Sequence, residues 1–310
     1  MKHTILGAGG SIGNALTYEL LKAKADVRLV SRSGFSIPGT ESVKADISSN
    51  EETLKSIQKS DIVYLLAGLA YDTKVWSDLW PKIMQNTIDG CKKVGAKLIF
   101  FDNVYMYGKV NGRMTESTPF NPCSRKGEIR AKIAMHLEEE IKNHQLDAMI
   151  ARSADFYGPY ATKTCMAYLL AIEKLMNGKS AQWLISADIP HSFTYTLDCA
   201  KGLVLLSSRS ECYNQTWHLP THGTTIDGKT FITLVANELG MQPNYSILKK
   251  WMVWLAGLFN KTIAEIYEML YQNELAYEFN SSKFNDFFKY QPISYVNGIH
   301  ETMEFLKQQK

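Results

Sequence analysis

The chain lacks a long apolar run. Its most apolar short stretch, Trp251-Met252-Val253-Trp254-Leu255-Ala256-Gly257-Leu258-Phe259, falls far short of the roughly 20 apolar residues that cross a bilayer. It reads as a buried helix or a pocket wall rather than a membrane-surface helix. An excess of charge of one sign is also missing. The 34 Lys and Arg against 31 Asp and Glu leave +3, scattered along the chain, which argues against a charge-driven footprint on nucleic acid or a membrane surface. Disulfide spacing is absent. The five cysteines, Cys91, Cys123, Cys165, Cys199 and Cys212, include no CxxC pair, and an odd count fits reduced thiols in a cytosol. His218 and His222 lie near Cys212, but no metal-ligand set closes around them, so no metal is expected. The first strand begins almost at Met1, which leaves no room for a signal peptide, and a cytoplasmic location is expected. No repeat, low-complexity tract or charged tail interrupts the chain. At 310 residues and 45% hydrophobic, it can form one large domain or two modest ones around a sizeable core.

What is present begins at once. After the apolar Thr4-Ile5-Leu6 comes Gly7-Ala8-Gly9-Gly10-Ser11-Ile12-Gly13, which opens into a stretch with Ile12, Ala15, Leu16, Leu20 and Ala23 on one helical face. Strand, glycine turn and helix form the context a dinucleotide site requires. Gly7 permits the sharp turn, Gly10 lets backbone approach a pyrophosphate, and Gly13 lets the helix pack on the strand. The first helical amides then face the phosphates, with the helix dipole favouring their charge.

Apolar runs alternate with helical patterns beyond this point. Strands are expected at Val27–Val30, Ser42–Ala45, Ile62–Leu66, Lys97–Phe101 and Ala148–Ala151. One helix is expected to start at Pro81, a favoured first-turn residue, and another to run from about Gly127 to Asn143. This alternation predicts an α/β fold with a doubly wound parallel sheet, a Rossmann domain, and a smaller C-terminal α/β substrate domain. The dinucleotide domain is expected over 1–155, with parts of 186–220 returning to it. Residues 156–185 and 221–310 are assigned to the substrate domain. Later helices are expected near Cys165–Met176, Cys199–Ser207, Lys229–Leu239 and Ile263–Glu278. Ligands bind such sheets at the carboxyl ends of their strands.

An NAD-selective site places an acid at the end of the second strand. Here that position holds Ser31-Arg32-Ser33, and a guanidinium suits a 2′-phosphate. NADP(H) is therefore expected, with NAD(H) as the alternative. Asp46 and Ile47 are placed to meet the adenine, and Leu66, Ala67 and Gly68 to line the cofactor. Ala154 and Asp155 follow the sixth strand, near where the nicotinamide should lie.

These residues resemble an extended or atypical short-chain dehydrogenase/reductase of the NAD-dependent epimerase/dehydratase family. Besides the glycine loop, the resemblance is carried by Asn86, Val104-Tyr105-Met106-Tyr107-Gly108, Phe156-Tyr157-Gly158-Pro159, His191–Ala200 and Tyr213-Asn214. It runs from Thr4 to about Phe305. It implies a cofactor domain, a C-terminal domain often serving nucleotide sugars or other small carbonyl and hydroxyl compounds, and a homodimer.

The pattern breaks where the family keeps its chemistry. The resemblance sets a YxxxK pair on Lys126-Gly127-Glu128-Ile129-Arg130, with Lys126 at the Tyr and Arg130 at the Lys. The family's Ser or Thr falls on Asn103. Three readings stay open. Lys126 is the general acid, its charge disfavoured by Arg130 and a cationic nicotinamide; a relocated phenol acts, from Tyr105, Tyr107 or Tyr157; or the site binds cofactor without turnover. Asn103 can orient a substrate oxygen through its amide. His191 could meet the substrate, though a structural role is the plainer reading. The leading expectation is an NADP(H)-dependent oxidoreductase acting on a small carbonyl or hydroxyl substrate. The alternatives are a nucleotide-sugar epimerase or dehydratase and a non-catalytic NADP(H)-binding redox sensor.

Overall fold

Seven strands form one parallel sheet in this computed structural model, which describes residues 1–162 and 165–309. They are β1 (Lys2–Leu6), β2 (Asp26–Ser31), β3 (Glu41–Lys44), β4 (Ile62–Leu65), β5 (Lys97–Asp102), β6 (Ala148–Arg152) and β7 (Gln215–His218). Their order across the sheet is β3-β2-β1-β4-β5-β6-β7. Successive side chains on a strand point to opposite faces. Ile5, Leu29, Tyr64, Ile99 and Met149 accordingly join one core, while Leu6, Val30, Val63, Leu98 and Ile150 join another. Both faces are apolar because helices cover both.

The first face is covered by α1 (Ser11–Lys22) and, from beyond β6, by the helix Thr196–Ser207. On the second lie α2 (Asn50–Ser56), α3 (Thr73–Val94) and α4 (Arg125–Lys142). The helix expected to begin at Pro81 begins eight residues earlier. Asp72 caps it, accepting from the amides of Lys74 at 2.8 Å and Val75 at 3.1 Å. Pro81 therefore lies inside α3, where its missing N–H leaves the Ser77 carbonyl without the usual helical partner.

Reversal of strand order between β1 and β4 opens a crevice at their carboxyl ends. Other segments beyond β6 pack on a separate cluster that includes Tyr157, Trp183, Phe231, Val235, Tyr295 and Met303. Short parallel pairs link Asp155–Tyr157 to Phe193–Tyr195 and Ala181–Leu184 to Tyr245–Leu248. The long helix expected over Ile263–Glu278 is instead a short helix, Lys261–Tyr267, followed by a 3-10 turn at Leu270–Asn273.

The stretch Trp251–Phe259 corrects an expectation. It is neither buried nor a pocket wall. Trp251, Trp254 and Leu258 are more than half exposed and Phe259 is 87% exposed, while Val253 faces inward. Apolar composition predicts burial only where another element covers the face, and among the described residues none does here.

Candidate active site

The carboxyl ends of the central strands open into one cleft of about 470 Å³. Gly10, Ser11, Ile12 and Gly13 line it at the start of α1, and Leu66, Ala67 and Gly68 line it after β4. Asn103 and Tyr105 follow β5, Ala154 and Asp155 follow β6, and Arg130 reaches in from α4. The sequence therefore brings most of its candidate residues to one place. Gly7 lies beneath, at φ +89°, where a Cβ would come within 2.5 Å of the Ala67 Cα. Its amide and that of Ala8 both donate to the Val30 carbonyl at 3.0 Å, tying the turn to the end of β2.

Other candidates stand outside the cleft wall. Ser31, Arg32, Ser33, Asp46 and Ile47 sit beyond its lining, at the β2–β3 edge. Ser31 Oγ accepts from the Phe35 amide at 2.8 Å, and Arg32 is exposed. Lys44 pairs in register with Ser31, adding a second cation there. Asp46 is held below the usual carboxylate range by hydrogen bonds from Ser48. Asn86 donates to the Ile47 carbonyl at 3.2 Å.

Lys126 does not line the cleft. Its fully buried side chain donates to Glu265 Oε2, to Glu268 Oε1 at 2.7 Å and to Thr73 Oγ1 at 3.0 Å. It also lies 4.7 Å over the Tyr71 ring. Burial pushes the Glu265 carboxyl up, but hydrogen bonds from Lys126 and Thr73 outweigh this and hold it below its ordinary value. Lys126 thus joins α3, α4 and the helix Lys261–Tyr267.

A buried charged network underlies the site. Asp102, at the end of β5, pairs in register with Arg152 at the end of β6. Arg130 Nε donates to Asp102 Oδ1 at 2.8 Å, and its Nη2 donates to the same oxygen. Arg152 Nε donates to Asp102 Oδ2 at 3.4 Å. Arg130 also lies 4.4 Å over the Trp80 ring. The Asn103 amide donates to Asp102 Oδ1 at 2.9 Å, and Asn103 Oδ1 accepts from the Tyr105 amide at 3.0 Å. That leaves the Asn103 Nδ2 hydrogens as donors toward the cleft.

Arg152 Nη1 continues the network to the Tyr107 hydroxyl at 3.0 Å, which is 2.9 Å from His218 Nε2. His218 Nδ1 lies 2.8 Å from the Asn280 carbonyl. A carbonyl only accepts, so the proton sits on Nδ1 and Nε2 accepts from Tyr107. Burial dominates the His218 environment and drops its pKa from the ordinary 6.5 to about 3. As pH falls through that window the unfolded chain takes up a proton that the folded one refuses. Stability is therefore complete above pH 6.5 and is lost toward pH 3, at about 1.4 kcal/mol per pH unit. Urea unfolding of His218→Gln against wild type across this range is expected to show a slope smaller by about that amount; an unchanged slope would refute the assignment.

Tyr105 and Asp155 both line the cleft. Burial and then the Asp155 charge push the Tyr105 phenol up to about 12, against Tyr71 and Arg130, which pull it down. His191 Nε2 lies 3.1 Å from Asp155 Oδ2, its ring stacked on Tyr277 at 4.1 Å. The far wall is apolar and includes Met166, Leu169, Leu170, Leu184, Ile266 and Leu270. Sequence reasoning missed this wall and the Arg152–Tyr107–His218 chain. A visible signal for the latter was a charge closing each of two apolar strands.

The family model of the NAD dependent epimerase/dehydratase family matches residues 3–215. The chain belongs to this family. Members similar to it include an uncharacterized UDP-glucose epimerase, YtcB, of Bacillus subtilis (strain 168). That protein is 22% identical over 70% of this chain and 75% of its own. A dTDP-glucose 4,6-dehydratase of Mycobacterium tuberculosis is 22% identical over 52% of this chain and 55% of its own. Among solved structures, UDP-glucuronic acid 4-epimerase from Bacillus cereus in complex with NAD superposes with a TM-score of 0.81. It is 20% identical, over 100% of this chain and 99% of that one. The dTDP-glucose 4,6-dehydratase from Bacillus anthracis, in complex with NAD, gives 0.83 at 16% identity, over 100% and 97%. The fold of these solved structures is thus shared along the whole chain.

Proposed function

We propose that this protein is a nicotinamide-dinucleotide-dependent enzyme of the epimerase/dehydratase type, exchanging hydride with a hydroxyl- or carbonyl-bearing carbon of a substrate. One observation carries the reading: the start of α1, with no side-chain cap, opens into the same cleft as Asn103, Tyr105 and Arg130. The geometry fits the cofactor. A Cβ on Gly10 would meet nothing nearer than the Gly7 carbonyl at 3.9 Å, so backbone approach is open. The amides of Ser11, Ile12 and Gly13 would hold its pyrophosphate. When bound, the dinucleotide supplies the hydride acceptor or donor. Asn103 Nδ2 orients the substrate oxygen, the Tyr105 hydroxyl gives or takes its proton, and Arg130, held by Asp102, stabilises negative charge developing there. Lys126 keeps the wall in place through Glu265 and Glu268.

The relatives' names make a nucleotide sugar the first substrate class to test. A neutral carbonyl or hydroxyl compound is the second, favoured by the apolar far wall. Arg32, Lys44, Ser31 and Ser33 support NADP(H), since no carboxylate closes β2. Titration of wild type and Arg32→Ala with NADPH and NADH tests this. The expected result is NADPH binding about tenfold tighter or more, from charge-assisted bonds to the 2′-phosphate, with the preference lost in the variant. Equal binding of both by wild type would leave NAD(H) as the cofactor. Binding of neither would overturn the reading.

A further inference from the structure

We propose that the helical hairpin Lys250–Tyr267 docks this protein on an anionic lipid surface, with the mouth of the cleft beside it. This departs from the expectation that no membrane is involved. The hairpin consists of the helices Lys250–Gly257 and Lys261–Tyr267, which approach so closely that a Cβ on Gly257 would lie 3.1 Å from the Ala264 Cα. Its outer side and tip expose Trp251, Trp254, Leu255, Leu258 and Phe259. Contiguous exposed apolar surface of this kind marks an interaction site. Among the described residues, no helix is long and apolar enough to cross a membrane. A short helix with Trp, Leu and Phe outward and lysines beside them is built to lie in the interface.

Charge selects the partner. From Lys249 to Ala264 the sequence holds Lys249, Lys250 and Lys261 and no carboxylate. Exposed Lys249, with Lys250 and Lys261 at the rim, complements anionic headgroups. Lys250 and Lys261 are bridged to Glu274 at 2.6 Å and Asp72 at 2.5 Å. Electrostatics therefore contribute less than insertion of the aromatic tip. The hairpin is also continuous with the site. Thr262, exposed and three residues from Phe259, lines the cleft, as does Ile266 on the same helix. A substrate's apolar part would pass from lipid along this wall toward Met166 and Leu170.

The test is flotation of the full chain with vesicles of phosphatidylcholine alone and with phosphatidylglycerol added, for wild type and Leu258→Ser/Phe259→Ser. Both substituted positions are exposed, so the variant is expected to fold, with an unchanged unfolding midpoint as the control. Wild type is expected to float with the anionic vesicles, at least fivefold more than with the neutral ones, and the variant to remain in solution. Failure to float with either vesicle, equal flotation of wild type with neutral and anionic vesicles, or equal flotation of variant and wild type, would overturn the proposal. So would a wild-type dimer that the double substitution dissociates without any lipid binding. Dinucleotide binding is read separately, so loss of the functional reading and loss of this one are distinguishable.

Discussion

Replacing Asp102 with alanine is expected to destabilise the protein by about 3–5 kcal/mol, the cost of leaving buried charge uncompensated. Asp102 is fully buried and takes both Arg130 and Arg152, themselves 4% and 1% exposed. Removing it leaves two largely buried guanidiniums that cannot lose their protons without the carboxylate they share. The Asn103 amide loses its acceptor at the same time. Urea unfolding at neutral pH measures the loss. Asp102→Asn is expected to recover only part of it, because an amide keeps the shape and an acceptor but not the charge. A loss below about 1 kcal/mol for Asp102→Ala would mean that water or the Arg152–Glu138 contact at 3.6 Å compensates the arginines, and the network would not be what fixes Asn103. Because that network sits directly under Asn103 and Arg130, the variant is also expected to lose turnover in the fraction that stays folded.

How far the molecule was legible in its sequence depended on the range of the interaction concerned. The strands and α1 were legible because the alternation of apolar runs and the glycine turn are local signals, and each is written within a few residues. The gathering of Gly10, Leu66, Asn103 and Ala154 at one cleft followed from a topological rule about strand ends. Side-chain partnerships were not legible. Lys126 meets Glu265 and Glu268 across 139 and 142 residues, and nothing local in Lys126–Arg130 points to them. Pairing of Asp102 with Arg152 needs the register of β5 on β6, which sequence pattern leaves free. Trp251–Phe259 misled for a related reason. Its apolar residues state a preference for leaving water, and only the rest of the fold determines whether a covering element exists.

Tyr105→Phe is expected to lower kcat by about 10²–10⁴, the usual range for one proton-transfer group, with little change in KM or in dinucleotide affinity. The ring stacks on Trp76 with centroids 6.2 Å apart, and phenylalanine keeps that contact, so the fold should be retained. A phenol pushed up to about 12 is protonated at neutral pH and donates well in the direction of reduction. In the direction of oxidation it must first lose its proton. Its active fraction then rises tenfold for each pH unit below 12, so the wild-type oxidation rate should climb steadily through the neutral range without a plateau. Tyr105→Phe should abolish that climb. Lys126 gives a different signature. Its ammonium is committed to two carboxylates behind the wall, so Lys126→Met should act through displacement of Glu265 and Glu268, raising KM while leaving the slope of the oxidation rate on pH intact. Should Lys126→Met erase the slope and Tyr105→Phe preserve it, the proton would belong to Lys126, and the cleft would have to rearrange on substrate binding to admit it.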